Sequence, residues 1–265
     1  MTKTKLLLLG MILVSFSPLN AMTPEAKGLD IAQKIDAHDQ GWGSQVANVV
    51  MVLRNRHGQE SKRKMVIKSL EDTIKGDDMG DKALTLFKTP KDVKGTSFLS
   101  FTHTEGPDEQ WLYLPALRRV KQIASDNKSG PFMGSEFAFE DISTQQVGKY
   151  TYKFLRDEFI NKEAGFVFER YPVDKKSGYT KQVVWVDAIE YRIHKIDFYN
   201  RRNAFFKTLT YERYAKYTKN IWRPSKMAMV NHITGKSTEL IWNNYAFNKK
   251  LSVRDFDKNA LKRLK

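Results

Sequence analysis

The chain is 265 residues long, contains no cysteine and carries a formal charge of +15 from 45 basic and 30 acidic residues. Without cysteine there is no disulfide, no thiolate metal site, no cysteine nucleophile and no lipid-modified N-terminal cysteine. The charge would suit nucleic acid, but the first residues point to export. Phospholipid headgroups, lipid A phosphates or an acidic protein surface are then the anions it would meet, against the plainer reading of a solvated basic surface.

Residues 1–21 read as a secretory signal peptide. Lys3 and Lys5 form its positive end, Leu6 to Phe16 its apolar run, and Leu19-Asn20-Ala21 a small-residue cleavage site. The apolar run is shorter than the roughly 20 residues a membrane-spanning helix needs. The expected product is a single domain over residues 22–265, exported to the periplasm, soluble and not lipid-anchored. Its net charge is +13 once Lys3 and Lys5 are removed.

Pro24 to Gln40 is expected to form an amphipathic helix, with Leu29, Ile31, Ala32 and Ile35 as its stripe and Gly41-Trp42-Gly43 as its stop. Strand patterns follow almost to the end. Val46, Asn48, Val50 and Val52 alternate with Ala47, Val49, Met51 and Leu53, and Lys62 to Leu70 pairs with them through a turn at His57-Gly58. Ala83–Lys88 and Thr96–His103 form a second pair, with Asp77-Asp78-Met79-Gly80-Asp81 as a turn before it.

In Asp108 to Ile142, Trp111 and Tyr113 point one way and Leu112 and Leu114 the other. Pro115 should end that strand. A basic segment with Arg118, Arg119 and Lys121 follows. Then comes the loop Ser129-Gly130-Pro131-Phe132-Met133-Gly134-Ser135, whose two large apolar side chains read either as a flap that touches something apolar or as anchors tucked into the core. Asp141 to Gly148 is expected to be a short helix. Seven further strands follow: Tyr150–Arg156, Gly165–Tyr171, Lys181–Asp187, Tyr191–Tyr199, Ala204–Tyr214, Trp222–Ile233 and Ser237–Phe247. Pro224 places an edge or a bulge in the sixth. A basic tail closes the chain, with a helical turn at Asn259 to Leu264.

The fold class is therefore mainly β (α+β), one large and mostly antiparallel sheet that must curl, close or be covered. Enzyme signatures are missing. The five histidines have no metal-ligand spacing, and there is neither a nucleophile elbow nor a P-loop. No enzyme activity, cofactor or metal is expected. Phe166, Phe168, Trp185, Phe205, Phe206, Met227 and Met229 lie on strands apolar on both faces, which implies cover on both sides. That cover is either a packed core under helices or the wall of a cavity that accepts acyl chains.

WLYLPALRRVKQI followed by SGPFMGSEFAFEDI, about 35 residues from Asp108 to Ile142, closely resembles a segment shared by periplasmic outer-membrane lipoprotein-sorting proteins. These are relatives of the LolA/LolB lipoprotein-carrier superfamily, and some accompany resistance-nodulation-division type exporters. The resemblance implies an incomplete β-barrel around a hydrophobic cavity, with helices and loops as a lid. It implies a monomeric periplasmic carrier that binds lipid, or the acyl chains of lipoproteins, and moves them toward the outer membrane. In that reading Phe132 and Met133 are flap residues, Phe137 belongs to flap or cavity, and Trp111, Tyr113 and Leu114 form the wall or its rim. Arg118, Arg119 and Lys121 would meet a phosphate, an anionic membrane or an acidic partner; nucleic acid is not expected as a partner. The alternative is an accessory subunit that docks its basic face on such an exporter and never holds lipid.

Overall fold

A computed structural model describes residues 22–72, 79–218 and 221–264. The proposed leader and Asp77-Asp78 of the proposed turn lie outside the described residues. Met79, Gly80 and Asp81 are not part of a turn; they begin a strand.

One helix, α1 (Pro24–His38), comes first. Thr23 caps it by accepting a hydrogen bond from the Ala26 amide, and Pro24 supplies the preset φ of the first turn. Its buried side is Gly28, Ile31 and Ala32. Gly28 is required for contact, because a Cβ there would sit 2.9 Å from the backbone nitrogens of Lys153 and Phe154. The helix can thus lie directly on a strand.

The remaining elements build a single sheet. Its strands are β1 (Ser44–Arg54), β2 (Glu60–Leu70), β3 (Met79–Thr89), β4 (Ser97–His103), β5 (Glu109–Leu114), β6 (Arg119–Gln122), β7 (Tyr150–Ile160), β8 (Glu163–Pro172), β9 (Tyr179–Asp187), β10 (Ile193–Asn200), β11 (Phe205–Lys216), β12 (Trp222–Asn231) and β13 (Ser237–Phe247). The order across the sheet is β6-β5-β4-β3-β2-β1-β13-β12-β11-β10-β9-β8-β7. Every pairing is antiparallel, and β6 and β7 are its two free edges, so the barrel is not closed. These two edges are consecutive in the chain. Residues 123–149 run from one to the other and close the gap as an irregular bridge.

The alternation in β5 appears as read. Leu112 and Leu114 belong to the main core on the inner face, while Trp111 and Tyr113 join a second cluster on the outer face. The inner core gathers Val49, Met51, Met65, Phe87, Phe98, Phe168, Ile196, Leu209, Met229 and Leu240 from strands around the whole curve. On the outer face of β3–β5, Leu84, Leu99 and Trp111 are covered by Phe256 and Leu261 of the basic tail, with Leu251 and Leu264 beside them. The expected terminal helical turn is a short 3-10 turn, Leu261–Arg263.

Two expectations fail. Asp141 to Gly148 is not a helix: 3-10 turns at Phe139–Asp141 and Val147–Lys149 flank non-helical chain, because this bridge follows the gap between sheet edges. Trp185 and Phe205 are not covered apolar positions. Trp185 is half-buried on the outer face under the Lys195 ammonium, 3.4 Å from its ring centre, and Phe205 is exposed and packed on His232. The Lys195 cation shelters Trp185, and the Tyr199 and His232 rings flank Phe205, in place of a second layer. Pro224 does lie at a local edge. The β12–β13 ladder begins only at Lys226, so Pro224 is paired on one side alone, opposite Tyr214.

Candidate functional site

The inner face does not fill itself. It encloses a cavity of about 940 Å³, near the upper end of the roughly 300–1,000 Å³ typical of small-molecule sites. Met51, Met65, Phe98, Phe168, Met227 and Leu240 form its apolar wall. Cross-strand register explains the wall, since Tyr211, Met227, Leu240 and Met51 stand directly opposite one another through β11, β12, β13 and β1. Side chains at paired positions share a face, so one register row delivers four of them to the same side.

The ends of the cavity differ. Beside the C-terminus of α1 it is polar, lined by Asp36, Asp39, Glu71, Asp81, Glu190 and Arg223. Arg223 pairs with Asp39, the C-cap of α1, and its Nε donates to the Gln45 side chain at 3.3 Å. That pair ties the helix to β12. Glu71 accepts the Gly41 amide at 2.6 Å and the Gly43 amide at 2.5 Å. Burial, with Glu71 and Asp39 nearby, pushes Asp81 up to about 6.

At the other end the bridge packs against the inner face. Phe132 and Phe137 are each 1% exposed and line the cavity. Phe132 meets Phe98 edge-on at 5.1 Å between ring centres and Phe139 at 5.5 Å. Met133 adopts φ +50°, followed by Gly134 at +73°, and its carbonyl accepts from the Arg63 guanidinium. Glu136 is held by its amide on the Thr238 hydroxyl (3.0 Å) and by its carboxylate on the Asn231 amide (2.8 Å). Glu140 accepts from the Ser177 hydroxyl at 2.7 Å and the Gly178 amide at 2.8 Å, and burial beside Asp141 pushes it up to about 7. Asp141 is raised by burial; it accepts from the Tyr179 hydroxyl and the Ala138 amide. The bridge is therefore fastened to both halves of the sheet.

Of the residues singled out from the sequence, the structure brings Phe132 and Phe137 to the cavity. Met133 and Leu114 pack on the inner core but do not line it. Trp111 and Tyr113 are a correction, because they belong to the outer face under the tail and are separated from the cavity by the sheet itself. Phe132 is a core anchor in this structure, so of the two readings of its loop the tucked one describes it. Arg118, Arg119 and Lys121 are exposed around the edge strand β6. Sequence reasoning missed α1's polar C-terminal end, and Arg170 and Tyr211 on the inner face. The alternation of Phe166, Phe168 and Arg170 in β8 was the available signal for Arg170.

Among the described residues no group of three or more His, Cys, Asp or Glu side chains could hold a metal ion, and no helix is long and apolar enough to cross a membrane. Asp187 is occupied structurally: it accepts from His194, Arg192 and the backbone of the β9–β10 turn.

A family model described only as that of an uncharacterized protein matches residues 79–263. No curated protein matches the chain. Among solved structures, one assigned as an outer membrane lipoprotein-sorting protein domain, from Vibrio parahaemolyticus, is 54% identical with a TM-score of 0.86, covering 89% of this chain and 99% of that one. A DUF1329 family protein from Desulfovibrio piger is 28% identical with a TM-score of 0.83, over 90% and 99% of the two chains. A LolA superfamily protein from Nitrosomonas europaea, 21% identical with a TM-score of 0.68 over 90% and 99%, shares the fold.

Proposed function

Because the chain belongs to the family of outer membrane lipoprotein-sorting proteins and has the open curved sheet of the LolA superfamily, we propose that it is a periplasmic carrier whose cavity takes up the acyl chains of a lipid or lipoprotein. The observation that carries this reading is the cavity left open beside the partly exposed Ile35, Ile67, Met227 and Trp242, with Met51, Met65, Phe168 and Leu240 packed behind them. A packed inner core would leave no such volume. Each methylene that leaves water for that wall contributes about 0.8 kcal/mol, so a single long chain supplies useful affinity without any covalent step. Methionines suit the task, since their flexible thioethers adapt to chains of different shape. Release requires a competing state, and the bridge over residues 123–149, irregular and fastened by hydrogen bonds, is the element whose movement would open the gap between β6 and β7.

The test is direct. A fluorescent long-chain fatty acid should bind the protein saturably and be displaced by lipid extracted from the native protein. No saturable binding by any acyl probe would end the carrier reading. A second reading, docking on an exporter, has its own observation: β6 is a short exposed edge that carries Arg119 and Lys121, with Arg118 just before it. It predicts association through charge with no need of the cavity.

A further inference from the structure

The cavity is not uniformly apolar. Arg170 stands on its wall and is only 7% exposed. The register places it on the inner face, opposite Tyr152 on one side and Gln182 on the other. Its Nε donates to the Gln182 side chain at 2.6 Å, and the guanidinium lies over the Tyr150 ring, 4.7 Å from its centre. No carboxylate forms an ion pair with it among the described residues. Asp141 feels its charge, yet that carboxylate is spent on the Tyr179 hydroxyl at 2.8 and 3.0 Å and the Ala138 amide at 2.7 Å. A guanidinium offers five N–H donors in a fixed fork, and one of Arg170's is used here. A buried cation with most of its donors free is costly unless something anionic completes it.

Tyr211 lines the same cavity, and its hydroxyl makes no hydrogen bond among the described residues. Two side chains with unfilled donors therefore belong to one chamber. Their placement along the strands matters too. Arg170 is near the C-terminal end of β8, toward the end of the cavity that holds Phe137 and Asp141. Asp36, Asp39, Glu71 and Asp81 gather at the other end, beside the C-terminus of α1. At the α1 end the cations Arg192 and Arg223 are already paired with Asp187 and Asp39, so an anionic group there finds no free partner; one at the bridge end meets Arg170.

We propose that the cavity selects an amphiphile with an anionic head, a carboxylate or a phosphate, held so that the head rests on Arg170 and Tyr211 while the chain lies along Phe168, Met227 and Leu240. This rests on the carrier reading and adds the head chemistry and the orientation. Arg170 matches either head, because its fork reads two oxygens at once.

The experiment compares dodecanoate and dodecyl phosphate with the neutral methyl dodecanoate by calorimetry, in wild type, Arg170→Met and Tyr211→Phe, each checked for a native β circular dichroism spectrum. Acetate and inorganic phosphate serve as heads without chains. In the wild type both charged amphiphiles should bind roughly tenfold or more tightly than the ester, as expected of charge-assisted hydrogen bonds, and neither acetate nor phosphate should displace them. Arg170→Met should bring the ratio close to one with ester binding retained, and Tyr211→Phe should reduce it severalfold. Equal wild-type affinity for acid and ester overturns the proposal while leaving the carrier reading intact, whether or not the variants fold. A ratio that survives Arg170→Met also overturns it, as does displacement by free phosphate. Failure of the wild type to bind any of the three chains overturns both readings.

Discussion

The two faces of the sheet at β3–β5 are made of the same kinds of residue and come to opposite ends. On the outer face Leu84, Leu99 and Trp111 are sealed by the chain's own tail, through Phe256 and Leu261. The inner face, with Phe98 on β4 and Met65 and Met51 on the neighbouring β2 and β1, is turned toward the cavity. Alternation alone reports that both faces want cover. It does not say whether the cover is another part of the chain or something from outside. The tail, which carries most of its charge on residues such as Lys258 and Lys262, brings just enough apolar side chains to finish one face. Among the described residues nothing fills the cavity behind the other.

The largest expected effect breaks this comparison at the sealed face. Phe256→Ala should cost about 3–5 kcal/mol, the usual range for a buried phenylalanine, seen in urea unfolding, while the folded protein binds an acyl probe like the wild type. A large loss of probe affinity at unchanged stability would mean that the two faces are not independent. The open face responds in the reverse sense. Met227→Trp places an indole where the cavity is empty. It should weaken probe binding by roughly tenfold or more and change stability by no more than about 1–3 kcal/mol, as read by fluorescence titration beside urea unfolding.

A smaller effect concerns the bridge that closes the open face. Glu140 is raised to about 7 from 4.5, so between those pH values the folded state holds a proton that the unfolded chain has released. Stability should therefore fall as pH rises from about 4.5 to 7 and level off above. Asp81, raised to about 6, adds to the same slope. Asp187 does not oppose it, because hydrogen bonds there outweigh burial and lower its pKa, and its contribution is lost only in more acid solution. Glu140→Gln should flatten the upper part of the slope in urea titrations at pH 5, 6, 7 and 8. An unchanged slope would show that Glu140 is ionised throughout.

The smallest effect belongs to the free edge. Arg119→Glu with Lys121→Glu should shift stability by about 0.5 kcal/mol or less, as for exposed positions. If β6 meets anionic surfaces, sedimentation with anionic vesicles should weaken in this variant and in rising salt. Binding that ignores both would assign the edge charges to solubility alone.

Much of the architecture was legible from the residues. Period-two alternation located the strands, Pro24 and the Gly41-Trp42-Gly43 stop framed α1, and the opposition of Trp111 to Leu112 gave the two faces of β5 correctly. These are local properties, fixed by the geometry of a few consecutive residues. Two other things were decided only by tertiary structure. Which face of β5 meets the cavity depends on the direction in which thirteen strands curl, and so Trp111 and Tyr113, read as wall or rim, lie outside under the tail. The partners of Arg170 come from β7 and β9, chain segments joined to it by register and by no sequence spacing. A short helix expected at Asp141 to Gly148 became separate 3-10 turns for the same reason. Its backbone is shaped by the gap it spans between β6 and β7, and only the assembled sheet defines that gap.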